Sequence, residues 1–284
     1  MGGQWSLVRI QSPRPFSLSL SVSVEPSKGC GIKLAKPLIL LTNDDGVFAE
    51  GLRSLRKALE EVGEVVVIAP EGARNAVGHA LTLHKPLRVR QLKDQCFAIN
   101  GTPTDCVMLG IYKLLHRKPD LVFSGINDGP NLGDDVTYSG TVAGAMEGML
   151  LGVPSVAVSL AEMGSYFEVA AEFSAHLAKC VLRNGMPDGT FLNVNVPPLP
   201  WEEIKGVRVT RLGRRIYRTA IVEKTDPRGK PYYWIGGQHP TWAGGEETDF
   251  AAVELGFISV SPLHLDLTNY TALAQMSGWK LWPL

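Results

Sequence analysis

The chain reads as an α/β protein with a mostly parallel sheet covered by helices on both faces. Three observations predict it. Short continuous apolar runs, Leu38-Ile39-Leu40-Leu41 and Val65-Val66-Val67-Ile68, are bounded by turn residues, as strands buried on both sides are. Between such runs lie stretches with helical spacing, such as Leu52, Leu55, Leu59 and Val62 within residues 50–62. Strand and helix then alternate from Pro37 to Pro197, which implies right-handed crossovers within one sheet.

Further strands are expected at residues 97–100, 121–124, 155–160 and 191–196, with helices over 104–115, 142–151 and 166–182. Beyond Pro197 the rhythm changes. Residues 207–211 and 232–235 read as strands of an antiparallel excursion flanking the turn-rich Thr225-Asp226-Pro227-Arg228-Gly229-Lys230. An exposed aromatic hairpin of this kind either pairs with another subunit or packs on its own sheet. The chain returns with a strand at 256–261 and ends in an amphipathic tail, 267–282.

The apolar fraction of 45% and charged fraction of 20% are those of an ordinary soluble globular protein. Net charge is zero but unevenly placed. Residues 1–36 carry Arg9, Arg14, Lys28, Lys33 and Lys36 against Glu25, which leaves the rest at −4. A slightly acidic body argues against a nucleic-acid polymer as partner, and no stretch has the length of a membrane span. Cys30, Cys96, Cys106 and Cys180 form no Cys-x-x-Cys pair, so they are read as reduced, mostly buried thiols, which points to the cytoplasm. Residues 1–36 stand apart in composition. They are read as a disordered N-terminal extension, an organelle transit peptide or a start assigned too far upstream, and the folded domain is expected over 37–284.

The candidate chemistry gathers where strands end. Asp44-Asp45-Gly46 follows the first strand and so falls at the carboxyl edge of the sheet, where open α/β folds bind ligands. Adjacent carboxylates repel, and keeping both ionised needs a cation beside them; a plain Asp-Gly turn is the alternative. Ser124-Gly125-Ile126-Asn127-Asp128-Gly129-Pro130-Asn131 leaves another strand on the same edge. Its glycines admit close approach, and Asn127 and Asn131 offer neutral oxygens or amide donors. Ser139-Gly140-Thr141 then opens a helix rich in small residues, suited either to ordinary capping or to anion binding. Thr102-Pro103-Thr104-Asp105 reads as a helix start that holds the next loop in place, with Asp105 supporting the site as the other reading. No Gly-x-x-x-x-Gly-Lys-Ser/Thr, Gly-x-Gly-x-x-Gly or Gly-x-Ser-x-Gly occurs, which leaves out the common triphosphate, dinucleotide and serine-hydrolase sites. His79, His84 and His264 have no metal-ligand spacing.

Taken together, Leu40-Leu41-Thr42-Asn43-Asp44-Asp45-Gly46, Gly101-Thr102-Pro103-Thr104-Asp105-Cys106, Ser124-Gly125-Ile126-Asn127 through Asp135, Ser139-Gly140-Thr141-Val142 with Glu147-Gly148, and Thr248-Asp249-Phe250 through His264 resemble the SurE family of metal-dependent nucleotide phosphatases. The resemblance implies a Rossmann-like three-layer αβα fold with a C-terminal antiparallel extension, exchanged between subunits around residues 207–236, in a homodimer or tetramer. It implies one divalent ion per subunit, Mg²⁺ or Mn²⁺, on Asp44, Asp45, Asn127 and the position of Asn75, where the family carries Ser. An amide oxygen is still a hard donor but is longer than a hydroxyl. Asp44 or Asp45 would orient water for attack, with covalent catalysis through the first Asp as the competing route. Asn131, Ser139, Gly140 and Thr141 would hold the phosphate. The implied substrates are nucleoside 5′-monophosphates, extending to 3′-nucleotides and short polyphosphate. If Asn75 weakens the site, the alternative is a metal- and nucleotide-binding protein with weak or no hydrolysis.

Overall fold

The computed structural model describes residues 36–164, 166–216, 221–235, 241–279 and 281–282. The N-terminal segment discussed above, apart from Lys36, lies outside the described residues, as does Cys30.

Leu38–Thr42 (β1) is the central strand, and its side chains alternate between two cores. Leu38 and Leu40 face one cluster with Val66, Ile68, Ile99, Cys106 and Val107; Ile39 and Leu41 face another with Leu52, Leu55 and Leu59. All four are fully buried, so a charge at any of them would face apolar neighbours. Helices Glu50–Leu59 (α1) and Phe167–Asn184 (α4) cover one face, while Pro103–Leu109 (α2) and Gly140–Leu150 (α3) cover the other. These are the expected three layers.

The other strands of the main sheet are Glu64–Pro70 (β2), Val89–Lys93 (β3), Cys96–Ile99 (β4), Leu121–Asn127 (β5), Ser155–Leu160 (β6), Phe191–Val196 (β7), Val207–Val209 (β8) and Ile258–Leu263 (β13). Their order is β3-β4-β2-β1-β5-β6-β7-β13-β8. Strands β4, β2, β1, β5, β6 and β7 run parallel; β3 and β13 pair antiparallel with β4 and β7. The chain winds outward from β1 to β2 and β4, then restarts on the other side at β5. Strands β1 and β5 therefore flank the switch point, where the diverging connections leave a crevice beyond the strand ends.

Three local expectations differ from what is found. The helix expected over 104–115 stops as an α-helix at Leu109, and Gly110–Leu114 continues it as a π-helical turn. Edge strand β3 was missed because Val89-Arg90-Gln91-Leu92-Lys93 is mostly exposed and carries two cations, the composition of a solvated loop. Residues 207–209 do not belong to the antiparallel excursion; they pair in parallel with β13 at the edge of the main sheet. The excursion consists of Arg214–Ile216 (β9) paired with Thr241–Ala243 (β12), and the hairpin of Ile221–Thr225 (β10) with Pro231–Ile235 (β11). Two short helices, Asp249–Glu254 (α5) and Tyr270–Met276 (α6), complete the described chain.

Candidate active site

Six of the eight residues singled out from the sequence, Asp44, Asp45, Asn75, Asn127, Asn131 and Ser139, line one cavity of about 850 Å³ at the switch point. The other two stand directly behind it. Thr141 is fully buried and donates its hydroxyl to Asp44 Oδ1 in a short hydrogen bond. Its Oγ1 also lies 3.5 Å from Asn127 Oδ1, so oxygens from β1, β5 and α3 converge at one point. Gly140 packs on Asp44 so closely that an added Cβ would sit 2.8 Å from the aspartate Cβ and 2.9 Å from its Oδ2. No side chain fits there, so the helix start can meet the carboxylate only through glycine.

The Asp-Asp-Gly loop is held by Asn43, whose Oδ1 accepts from the Gly46 N–H at 3.2 Å and whose Nδ2 donates to the Gly46 carbonyl at 3.1 Å. Asp44 is buried; burial is the main effect raising its carboxyl pKa, opposed by the Thr141 hydroxyl and reinforced by the charge of Asp45. Asp45 is raised as well, by burial first, then by Asp128, whose backbone N–H nevertheless donates to Asp45 Oδ2 at 3.3 Å. The site thus holds two carboxylates whose charged forms are disfavoured by their surroundings.

Asn75 sits on a loop pinned at four points. Arg74 N–H donates to the Asp44 carbonyl at 2.7 Å, and Gly78 N–H to the Tyr138 carbonyl at 3.0 Å. His79 Nε2 lies 2.8 Å from Glu147 Oε2, on α3, so this histidine has a partner that its sequence spacing did not reveal. Further on, Asp105 accepts from the N–H and hydroxyl of Thr82 while closing a reciprocal cap with Thr102. Thr102-Pro103-Thr104-Asp105 was expected to hold the loop that follows; instead Asp105 anchors the loop that precedes it, at Thr82.

Asn127 Nδ2 donates to the Gly129 carbonyl at 2.8 Å, which fixes the amide orientation. Asn131 is buried and tied to β6 and β7: its Nδ2 donates to Ser159 Oγ, its N–H to Asn195 Oδ1, and its carbonyl accepts from Asn193 and Asn195. Ser139 Oγ caps α3 by accepting from the Val142 N–H at 3.0 Å. This leaves the hydroxyl proton as a donor toward the cavity.

The same cavity is lined by residues not singled out from the sequence: Asp128, Asp135, Tyr138, Arg215 and Ile235. Sequence patterns could not place Arg215 or Ile235, because they arrive from the excursion more than 70 positions beyond Ser139. Among the described lining residues, four carboxylates (Asp44, Asp45, Asp128, Asp135) face one guanidinium, Arg215. An anion entering such a cavity needs an added cation. Among the described residues no group of three or more His, Cys, Asp or Glu is gathered as a metal site. The donors available are the carboxylates of Asp44 and Asp45 and the amide oxygens of Asn75 and Asn127, all hard oxygens, which fits Mg²⁺ or Mn²⁺ better than a thiophilic metal.

A carboxylate pair and a helix N-terminus meeting at the switch point of a parallel sheet define an α/β protein with a ligand site at the carboxyl edge of its sheet. Residues 39–219 match the family described as Survival protein SurE. A 5′-nucleotidase SurE of Geobacter sulfurreducens is 57% identical over 245 residues, covering 86% of this chain and 94% of that protein. One of Geotalea uraniireducens is 55% identical, covering 86% and 99%. The crystal structure of the SurE protein from Aquifex aeolicus superposes with a TM-score of 0.77 at 47% identity, covering 85% of this chain and 98% of that one. The chain belongs to the SurE family.

Proposed function

We propose that the chain is a divalent-metal-dependent 5′-nucleotidase that hydrolyses nucleoside 5′-monophosphates to nucleoside and inorganic phosphate. The observation that carries this reading is the meeting of Asp44, Asp45 and the Ser139-Gly140-Thr141 helix start in one cavity, with Thr141 bonded to Asp44. A single Mg²⁺ or Mn²⁺ ion held by Asp44, Asp45, Asn75 and Asn127 would neutralise phosphate charge and lower the pKa of a bound water.

The chain's own groups divide the remaining work. At the start of α3 the Val142 N–H is taken by Ser139 Oγ, so the N–H groups of Gly140 and Thr141 and the Ser139 hydroxyl proton would meet the phosphate. Thr141 is committed to Asp44, so its side chain orients the carboxylate while its N–H remains part of the helix end. Asp45, the less buried of the pair, would orient the attacking water and take its proton. The water oxygen would bond to phosphorus as the P–O5′ bond breaks, and the proton taken by Asp45 would pass to the departing O5′, directly or through solvent, so that the nucleoside leaves as the neutral alcohol. Asn131, held by Ser159 and Asn195, lines the same cavity and would add a contact to the phosphate.

The assembly that suits this chain is a homodimer or tetramer in which the β10–β11 hairpin pairs across subunits. Its Tyr233, Trp234 and Ile235 are 60%, 62% and 93% exposed, more apolar surface than a hairpin presents to water alone. The cytoplasm is the compartment this reading favours, since Cys96 and Cys106 are buried free thiols and Cys180 is a free thiol as well. Among the described residues no helix is long and apolar enough to cross a membrane.

Asp45→Asn tests the reading. It should remove metal-dependent phosphate release from AMP, by about 10³-fold or more, with the folded structure kept. Retained turnover would take Asp45 out of the site.

A further inference from the structure

A nucleotidase must bind a nucleoside as well as a phosphate, and the groups named so far account only for the phosphate. The cavity continues past Ser139 to Tyr138, Asp135, Arg215 and Ile235. Arg215 enters from β9 and is held from several sides. Its Nη1 forms a short ion pair with Asp135 Oδ2, its backbone N–H donates to Asp134 Oδ2 at 3.1 Å, and its guanidinium carbon lies 5.8 Å from the Trp242 ring centroid. Trp242 is the cross-strand partner of Arg215 and stacks on Phe250 at 5.3 Å and 15°. Next to Phe250, buried Asp249 accepts from the N–H groups of Gly133 and Gly213, which join the turn before α3 to the strand carrying Arg215.

A flexible cation on a rim would only attract anions. Arg215 is instead a pre-oriented fork, three-quarters buried and already neutralised by a carboxylate that is buried to a similar degree. The Arg215 charge is answered at least in part by Asp135, which makes the pair a poor site for a second phosphate. It offers donors from the guanidinium and acceptors from Asp135, the complement of hydroxyls and of base-edge nitrogen and oxygen atoms. Tyr138, 64% exposed and adjacent to the phosphate-binding Ser139, supplies an aromatic face in the same cavity.

We propose that the Arg215–Asp135 pair is the nucleoside-recognition element of this site, with Arg215 the specificity-determining residue that separates nucleotides from other phosphomonoesters. The proposal rests on the nucleotidase reading given above. Binding energy drawn from the nucleoside positions the phosphate, so losing it penalises AMP and spares a substrate with nothing at that end.

The test compares AMP with phenyl phosphate, a monoester without ribose or base, in the wild type, Arg215→Ala and Arg215→Lys, with thermal unfolding as the control for folding. The ratio of kcat/KM for AMP to that for phenyl phosphate should fall by about 10–100-fold in Arg215→Ala, mostly through KM, as expected for losing a charged hydrogen-bonding group. Arg215→Lys keeps the charge but not the fork and should also lower the ratio; it decides the matter if Arg215→Ala loses its fold. Equal losses on both substrates, or no loss, would overturn the proposal and leave Arg215 a structural residue. A wild type that hydrolyses phenyl phosphate but not AMP would overturn the nucleotide reading, and this proposal with it.

Discussion

At the scale of single residues, the site depends on contacts too close to tolerate a methyl group. Gly140 is the sharpest case, since its α-carbon faces Asp44 with no room between them. Gly140→Ala should lower kcat/KM on AMP by about 100-fold, in keeping with the cost of misplacing a catalytic group by ångströms. Unfolding measurements should show the fold kept, because the shift is confined to one helix end; wild-type activity in this variant would mean the helix start is not part of the phosphate site. That Asp44, Asp45 and Asn127 gather at one sheet edge was legible in the sequence, because strand exits can be read from apolar runs and turns. The buried role of Thr141 was not legible. A Ser-Gly-Thr helix start says that hydroxyls are available, and only packing shows that one of them is spent on Asp44. For the same reason His79 looked isolated, its partner Glu147 being 68 positions away.

At the scale of elements, the parallel core strands were readable and the edges were not. Leu38-Ile39-Leu40-Leu41 can sit only between two covered faces, whereas Val89–Lys93 is exposed and charged, and its pairing with Cys96–Ile99 leaves no apolar pattern. What fixes β1 at its start is polar. Asp120 Oδ2 accepts from the Leu38 N–H at 2.7 Å and from Arg117 Nη1 at 2.8 Å. Burial pushes the Asp120 carboxyl up, but the Leu38 N–H and the Arg117 guanidinium outweigh it and leave the pKa below the ordinary 3.8. An acid with a depressed folded-state pKa adds stability above its unfolded value and loses it as the pH falls through the folded one. Wild type should therefore be more stable than Asp120→Asn in urea at pH 7, with the gap closing as the pH drops below about 4. A gap independent of pH would assign the effect to lost packing. The loop that carries Asn75 hangs on the α2 cap in the same way. Asp105→Ala should cost about 1–3 kcal/mol by urea unfolding, because it orphans the donors of Thr102 and Thr82. It should also weaken metal binding; a variant with unchanged metal affinity would show that the loop holds Asn75 without this anchor.

At the scale of the molecule, family membership and the geometry agree on one economy. A rigid sheet presents two loops and a helix end at its carboxyl edge, and the excursion closes over them with Arg215 and Ile235. The excursion was only partly legible: the hairpin strand Pro231–Ile235 was anticipated, but its partner Ile221–Thr225 and the assignment of residues 207–209 to the main sheet were not. Short strands carry too little pattern to reveal their partners. If the hairpin pairs across subunits, Trp234→Glu should shift sedimentation toward the monomer; an unchanged assembly would place the interface elsewhere. The central claim, a cation-dependent phosphatase acting on nucleotides, meets its most direct test in phosphate release from AMP with Mn²⁺ or Mg²⁺, alongside EDTA and the Asn75→Ser variant. Release by the unaltered chain is expected, abolished by EDTA and restored by either ion. Absence of release from the unaltered chain, with Asn75→Ser active, would contradict it and make this a family fold whose site binds without turning over.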